Sequence, residues 1–369
     1  MEIPSDAERS NNQEIEGLGD DVDASLGDYP IDTVLIRNEN RTVHDVLRRI
    51  EKGGYVMDPE FQREFIWPED KQSKLIESVL MRIPLPVFYL AENSKGQMIV
   101  VDGLQRLSTF LRFVNDELKL KLPKQPDLNG KYFTDLSPKL QNRIEDCNLV
   151  LYLIDARVPP QALLDIFDRV NSGMPLTRQQ MRNCLFMGES TKLLKRNSES
   201  PIFLKATGNS LDRNKMRDRE FINRFYAFKA LGTSQYKGDM DDFLALALEE
   251  INSMNGKEVE YLETSFERGM KNNIICYGKH AFRKHSRHQQ GRNIINASLW
   301  DVQSVVLSEY SSEEIEEKKE MIKEKTLDLF EDPAFHDAIT LGTSQTNRVY
   351  DRFYIFSQTV KGCFYDQQN

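Results

Sequence analysis

The sequence predicts an α+β protein, a small mixed sheet with helices followed by a mainly α-helical domain. Short apolar runs at 87–90, 98–101 and 149–154 are typical of buried strands. After Pro159-Pro160 the apolar residues recur at helical spacing as far as the C-terminus. The composition agrees with a globular chain, because 39% of the 369 residues are apolar and 29% are charged.

The charge distribution sets the N-terminus apart from the rest of the chain. The formal net charge is −9, and residues 1–24 contribute −7 of it, from eight acidic side chains and Arg9. We interpret residues 1–28 as an acidic disordered tail, because they have few apolar residues with which to form a core. The remaining chain is nearly neutral, which leaves room for a basic face. We expect one domain over 29–157 and a second over 158–369.

Spacing predicts the first elements of the N-terminal domain one by one. Apolar residues at helical intervals predict a helix that begins near Thr42 and ends at Gly53-Gly54, before an extended piece at 55–57. Pro68 suits the first turn of the next helix. The Ile-Pro-Leu-Pro sequence at 83–86 ends that helix before the first apolar run.

The segment 101–106, Val-Asp-Gly-Leu-Gln-Arg, joins a strand to a helix over 104–114 through a glycine. The apolar stripe of this helix is formed by Leu104, Leu107, Leu111 and Val114. The residues that lie off the stripe are Gln105, Arg106, Thr109 and Arg112. The segment therefore predicts a helix N-terminus with polar side chains beside it.

Such a turn is suited to a phosphate group. A helix N-terminus offers unpaired backbone N–H groups and the positive end of the helix dipole. In this interpretation Arg106 binds phosphate oxygens, Asp102 holds a metal ion or its water, and Gln105 orients ligand or water. The alternative is a plain Asp-Gly turn with a solvated arginine, which short glycine motifs often are.

Several motifs in order resemble the N-terminal domain of GmrSD-type restriction endonucleases. They are Phe61-Gln62-Arg63, Trp67-Pro68, Ile83-Pro84, the segment 101–106, and Phe-Asp-Arg-Val-Asn-Ser-Gly at 167–173. That family includes SspE-type sensors of phosphorothioated DNA, and its sheet is similar to that of ParB and sulfiredoxin. The resemblance covers residues 35–190 and implies a ParB/sulfiredoxin-like fold for the N-terminal domain.

The resemblance implies a nucleoside-triphosphate site with Mg²⁺. The family's Asp-Gly-Gln-Gln-Arg segment corresponds to Asp102, Gly103, Gln105 and Arg106, with Leu104 in place of the usual glutamine. Gln62 and Arg63 would approach the same pocket from the preceding loop. Because Leu104 departs from the family pattern, binding is better supported than hydrolysis. We predict that Arg106→Ala abolishes nucleotide binding without unfolding the protein.

A second family-like segment places Arg169 and Asn171 near a ligand held by the first. The alternative is that Asn171 to Gly173 end one helix and that Thr177 begins the next with a capping box, which leaves Arg169 and Arg182 unexplained. Gln180 stands where the family pattern has an acidic residue. A metal site on that helix is therefore not predicted.

A run without acidic residues at 279–292 is the best candidate for contact with the DNA backbone. Its cationic side chains are those of Lys279, Arg283, Lys284, Arg287 and Arg292. The alternative is a solvated basic face that pairs with acids elsewhere. The three histidines of the run fit no common zinc-ligand spacing.

Several other chemistries are not supported by the sequence. Sulfiredoxin has a Gly-Cys-His-Arg loop, and the matching run Gly103–Arg106 has no thiol with which to reduce a sulfinic acid. Neither a Walker A motif nor the two-histidine site of an HNH nuclease is recognisable. The four cysteines are far apart, and neither a signal peptide nor a membrane span is predicted, so we expect a cytoplasmic protein.

Two functional hypotheses follow. The first is a Mg²⁺-dependent protein that binds and hydrolyses GTP or ATP within a bacterial DNA-directed defence or restriction system. The alternative is a non-hydrolytic module that senses nucleotide or DNA and controls a separately encoded nuclease. Direct cleavage of nucleic acid by this chain is the least supported, because no complete set of metal ligands is recognisable.

Overall fold

The computed structural model describes residues 15–16, 35–57, 67–93, 96–170 and 177–365. The chain divides after residue 176 into two compact units. We call the described part of 26–176 the N-terminal unit, and the described part of 177–369, with residues 15–16, the helical unit. The sequence placed this boundary near residue 157, but a helix at 160–170 packs against a strand of the N-terminal unit. Most of the predicted acidic tail lies outside the described residues.

The N-terminal unit is built on a mixed sheet, as the sequence predicts. Its strands are β1 (Ile36–Thr42), β2 (Tyr55–Val56), β3 (Phe88–Glu92), β4 (Met98–Asp102) and β5 (Asn148–Ile154), in the order β1-β5-β3-β4-β2. Strand β3 runs parallel to β5 and antiparallel to β4, which brings the end of β4 beside the start of β3. The strand β1, which pairs antiparallel with β5, was not predicted.

Helices cover this sheet and bury its apolar residues. They are α1 (Val43–Glu51), α2 (Glu69–Leu80), α3 (Leu104–Val114), α4 (Pro138–Glu145) and α5 (Pro160–Val170). The side chain of Thr42 caps α1 by accepting a hydrogen bond from the N–H of Asp45. Phe88 of β3 and Phe110 of α3 are fully buried in the core of the unit.

The helical unit contains helices from α6 onward. They are α6 (Arg178–Leu185), α7 (Glu189–Ser198), α8 (Pro201–Thr207), α9 (Arg217–Leu231), α10 (Met240–Ser253), α11 (Gly256–Tyr277), α12 (Ala297–Leu307), α13 (Ser312–Glu331), α14 (Pro333–Ala338) and α15 (Thr346–Tyr365). Trp300 lies at the centre of the core, where its ring contacts Phe203, Phe221 and Phe282. A mainly helical second region is thus confirmed. No helix in the described ranges is both long and apolar enough to span a membrane.

Buried ion pairs connect three helices of this unit. Asp301 of α12 is fully buried and accepts hydrogen bonds from Arg224 of α9 at 2.8 and 2.6 Å. Arg352 of α15 donates to the same carboxylate at 2.9 Å. One buried carboxylate therefore neutralises part of the charge on two buried guanidinium groups, and burial is the main reason why the pKa of Arg352 is lowered.

A histidine pair predicts a pH dependence of stability. The rings of His280 and His285 stack at 4.5 Å, and burial is the largest cause that lowers the pKa of both. The charge of Lys323 adds to this lowering at each ring. Unfolded histidine titrates near 6.5, so the unfolded chain takes up protons before the folded one does. We expect the free energy of unfolding to fall as the pH drops below 6.5 towards the lowered pKa values.

Urea unfolding at about pH 7.5 and 5.5 checks this expectation. The double variant His280→Asn, His285→Asn should lose less stability over this interval than wild type does. His336→Asn serves as the control, because His336 is half-exposed on α14. Equal losses in the double variant and wild type would contradict the prediction.

Candidate functional site

The glycine turn between β4 and α3 has the geometry that the sequence predicts. Strand β4 ends at Asp102, Gly103 adopts φ = 101°, and α3 begins at Leu104 with no side-chain cap on its N-terminus. The first intrahelical bond runs from the N–H of Leu107 to the carbonyl of Gly103 at 2.9 Å. The N–H groups that precede Leu107 in the helix therefore have no intrahelical acceptor, as a phosphate-binding turn requires.

Replacing Gly103 by alanine is expected to destabilise the N-terminal unit. A Cβ atom at this position would lie 2.2 Å from Cδ1 of the buried Phe88 ring. The positive φ alone costs about 1–2 kcal/mol for a residue with a Cβ, and displacement of the ring adds to it. Thermal unfolding measures the loss, and Gly96→Ala, at an open site of similar φ, is the control. Equal losses at both sites would contradict the steric argument.

Arg106 is buried, which corrects its sequence-based placement off the apolar stripe. Only 8% of the residue is exposed, and its Cζ lies 4.1 Å from the centre of the Phe88 ring. Nη2 donates to Asp102 at 2.6 Å and to the carbonyl of Val87 at 3.0 Å, and Nη1 donates to the carbonyl of Pro86. Burial lowers the pKa of Arg106, and the ion pair with Asp102 opposes this. The guanidinium thus joins the turn to the start of β3.

These contacts use three of the N–H donors of Arg106. An arginine has five N–H donors, and the three bonds use two on Nη2 and one on Nη1. Within the described ranges, the Nε–H and the second Nη1–H of Arg106 have no hydrogen-bond acceptor. A cation in the first turn of a helix is unfavourable for the helix dipole, and Asp102 offsets it.

Gln105 is held by the chain that enters α2. Its Oε1 accepts a hydrogen bond from the N–H of Trp67 at 3.0 Å. Gln72 donates to the carbonyl of Trp67 and accepts from Arg112 of α3 at 2.9 Å. Gln105 therefore links the glycine turn to Trp67, and its Nε2 amide has no acceptor in the part of the chain that the structure describes. Sequence spacing contained no signal for this link between distant segments.

Asp102 is the predicted metal ligand. Its side chain is 31% exposed and Oδ2 pairs with Arg106, whereas Oδ1 has no partner among the described residues. Across the described ranges, no group of three His, Cys, Asp or Glu side chains is arranged to hold a metal ion. One carboxylate suits a Mg²⁺ ion that binds together with a triphosphate, because the phosphate oxygens and water supply the other ligands.

The remaining nucleotide-binding predictions are only partly covered by the structure. Gln62, Arg63 and Asn171 lie outside the described residues. Arg169 is exposed near the C-terminal end of α5. These assignments stay predictions.

The structure explains Gln180 and Arg182, which follow the second family-like segment. The side chain of Thr177 accepts from the N–H of Gln180, and the side chain of Gln180 accepts from the N–H of Thr177, which confirms the predicted capping box. Gln180 also donates to the carbonyl of Asn214 at 2.8 Å, which a carboxylate does not do. Arg182 is fully buried and pairs with Asp241 of α10. Both residues therefore have structural partners.

The basic run at 279–292 is less available to DNA than its composition indicates. Arg283 is 1% exposed, and it donates to the carbonyls of Asn293, Ala281 and Thr207. Burial lowers its pKa to about 10. Its position does not support a phosphate contact, because the guanidinium already completes backbone hydrogen bonds inside the unit.

Acidic residues accompany two other cations of the run. Arg287 pairs with three carboxylates of α13, those of Glu324, Asp328 and Glu331. Lys284 pairs with Glu16 at 2.5 Å. Lys279 and Arg292 are exposed, and both donate to backbone carbonyls, of Gln290 and Gly208 respectively. Much of the run is thus the neutralised face that the sequence allowed as an alternative.

Comparison with known families supports the resemblance of the N-terminal unit. Residues 43–187 match the family model described as GmrSD restriction endonuclease, N-terminal domain. The motif-based resemblance is confirmed for this segment, which includes β2–β5 and helices α1–α6. Searches of curated proteins and of solved structures gave no match. The match spans less than half of the chain, and helices α7–α15 lie outside it.

Proposed function

We propose that this protein binds a nucleoside triphosphate with Mg²⁺ at the Gly103 turn and serves a restriction-type defence system directed against DNA. The observation that carries the proposal is the uncapped helix N-terminus behind Gly103, within a segment that matches the GmrSD restriction endonuclease N-terminal domain. The family match supports the restriction or defence role, DNA as an interacting partner and a nuclease as a further one.

Four residues form the proposed site, and each has a different role. The backbone N–H groups that follow Gly103 hold phosphate oxygens, because the helix dipole favours negative charge there. Arg106 positions the turn through Pro86 and Val87 and places its charge beside the phosphates. Asp102 accepts Mg²⁺ or one of its waters, and the free amide of Gln105 donates to a ligand oxygen. Mg²⁺ neutralises phosphate charge when it is bound.

Hydrolysis would need these side chains to stabilise the transition state as well as to bind the nucleotide. An NTPase must stabilise the negative charge that develops on the phosphate oxygens. In this site Asp102 and Gln105 would also have to orient the water that attacks the terminal phosphate. The Oδ2 atom of Asp102 already accepts a hydrogen bond from Arg106, and the Oε1 atom of Gln105 already accepts one from the N–H of Trp67. These contacts favour a second candidate function, a non-hydrolytic module that senses nucleotide or DNA and controls a separate nuclease.

Calorimetric titration with ATP, GTP, CTP and UTP in the presence of Mg²⁺ tests the binding proposal. Asp102→Asn should weaken binding of the preferred nucleotide about tenfold, because it removes the carboxylate charge and keeps a similar shape. Asp45→Asn is the matched control, since Asp45 also pairs with an arginine of the same unit, at 3.5 Å. No binding of any of the four nucleotides to wild type would overturn the proposal.

Phosphate release distinguishes the two candidate functions. Turnover by wild type that is lost in Asp102→Asn supports an NTPase centred on the Gly103 turn. Binding without turnover, with and without plasmid DNA, supports the sensing module. Equal activity of Asp102→Asn and wild type would contradict the assignment of Asp102.

A further inference from the structure

A groove separate from the Gly103 turn lies on the N-terminal unit. It has a volume of about 460 Å³ and lies between the end of α2, the 83–85 loop, helix α4 and the start of β5. Arg82, Lys139 and Arg143 line it, and Asp146 is the acidic residue among them. Pockets that hold small organic ligands have volumes of this order.

The lining of this groove carries three cationic side chains and one carboxylate, that of Asp146. Within the described part of the chain, no ion pair joins Arg82, Lys139 or Arg143 to an acidic side chain. By contrast, most surface arginines of the protein are paired, as Arg157 is with Asp155 at 2.8 Å and Arg196 is with Glu263 at 2.6 Å. The three cations outnumber the single carboxylate of the lining, Asp146, so an anion in the groove would be favoured.

Arg143 also has a structural contact. Its Nη1 donates to the carbonyl of Leu80 at 2.9 Å and so caps the C-terminal end of α2. The rest of its guanidinium remains for a ligand. Lys139 is exposed one turn earlier on α4, so both side chains share one face of that helix.

The backbone at Arg82 is unusual for an arginine. Helix α2 ends in a Schellman motif, with hydrogen bonds of 2.9 Å from Arg82 to Val79 and from Ile83 to Ser78. Arg82 occupies the left-handed position of this motif at φ = 60°, where glycine is the preferred residue. A side chain that is unfavourable for local folding lines the groove, and a ligand contact would account for it.

Apolar residues complete the groove on one side. Ile83, Pro84 and Leu85 line it beside Val79, and the amides of Asn142 and Asn148 lie among the cations. Ile83 is 48% exposed, although it is apolar. The lining therefore combines a cationic part, hydrogen-bonding amides and an apolar surface that suits a flat ring.

We propose that this groove binds a nucleoside monophosphate unit, either free or as part of a nucleic-acid strand. Arg82, Lys139 and Arg143 contact the phosphate, the base lies against Ile83–Leu85, and Asn142 and Asn148 donate to or accept from the base or sugar. The loop that carries these apolar residues continues into Pro86 and Val87, whose carbonyls bind Arg106. This site is independent of the triphosphate proposed at Gly103.

Mg²⁺-free binding measurements test the groove with two probes. AMP is titrated by calorimetry, and a fluorescein-labelled single-stranded oligodeoxynucleotide is titrated by anisotropy. Arg82→Gly and Lys139→Gln should each weaken binding about three- to tenfold, since each removes one phosphate contact. Lys124→Gln is the matched control, because Lys124 is an exposed lysine of the same unit outside the groove.

Arg82→Gly separates ligand binding from folding. Glycine relieves the left-handed conformation, so the melting temperature should stay equal or rise while affinity falls. A loss of affinity for AMP in these variants identifies a free nucleotide as the ligand. A loss of affinity for the oligonucleotide alone identifies a nucleic-acid strand. Unchanged affinity in Lys139→Gln and Arg82→Gly, or an equal loss in Lys124→Gln, overturns the proposal. Either result leaves the Asp102→Asn test unaffected, since that test uses Mg²⁺-triphosphate.

Discussion

Replacing Asp301 by asparagine is expected to lower the free energy of unfolding by about 3–5 kcal/mol. The carboxylate is fully buried and is shared by Arg224 and Arg352, which are themselves almost fully buried. Without its charge, two guanidinium groups face each other in a medium of low dielectric constant, and neither can reach water. Urea unfolding of the full chain, followed by far-UV circular dichroism, measures the change.

Asp328→Asn is the matched control for this prediction. Asp328 also pairs with an arginine, Arg287, but its side chain is 63% exposed, so water replaces the lost contact. A change below about 1 kcal/mol is expected there. If Asp301→Asn were as stable as the control, the buried triad would not be what holds α9, α12 and α15 together.

Arg106→Ala is expected to lower the free energy of unfolding by about 2–4 kcal/mol, through lost hydrogen bonds and a cavity against Phe88. The substitution leaves the carbonyls of Pro86 and Val87 without their donor and removes the partner of Asp102. Thermal unfolding and nucleotide titration of the same preparation measure both consequences. The sequence predicts that this variant loses nucleotide binding without unfolding. The burial of Arg106 adds the expectation that the folded variant is less stable than wild type.

Arg106→Lys distinguishes charge from geometry. Lysine keeps the positive charge, but its single ammonium group does not span two carbonyls and a carboxylate as the planar guanidinium does. We expect an intermediate stability and a nucleotide affinity below that of wild type. Arg48→Ala is the surface control, because Arg48 forms a 3.5 Å pair on the exposed side of α1. Equal stability of Arg106→Ala and the control would contradict a positioning role.

The order of local elements could be predicted from the sequence because it depends on neighbouring residues. Apolar runs specify β3, β4 and β5, and the helical spacing of apolar residues specifies α1, α2 and α3. Thr177 and Gln180 form the predicted capping box because the motif needs only four consecutive residues. Strand β1 was missed, since its pairing with β5 joins segments about one hundred residues apart and its own sequence is largely polar.

The glycine turn was likewise visible in the sequence, but the roles of its side chains were not. Gly103 follows a strand and precedes a helix, so a strand-turn-helix unit could be inferred from the residues alone. Whether Arg106 points to solvent or to the core depends on where the chain places Pro86 and Val87. Those carbonyls lie in the segment just before β3, which comes beside the end of β4 only when these two strands pair.

The distribution of charged residues along the sequence did not predict which cations are exposed and unpaired on the surface. The run at 279–292 contains no acid, yet Arg287 meets three carboxylates from α13 and Arg283 is buried. The groove cations Arg82, Lys139 and Arg143 come from segments with acids nearby in sequence, yet none of them forms an ion pair with another described residue. The sequence by itself determined the α+β class, the Gly103 turn and the resemblance of residues 43–187 to the GmrSD N-terminal domain. Only the tertiary structure decided which charges meet, because ion pairs depend on distances between segments and not on spacing along the chain.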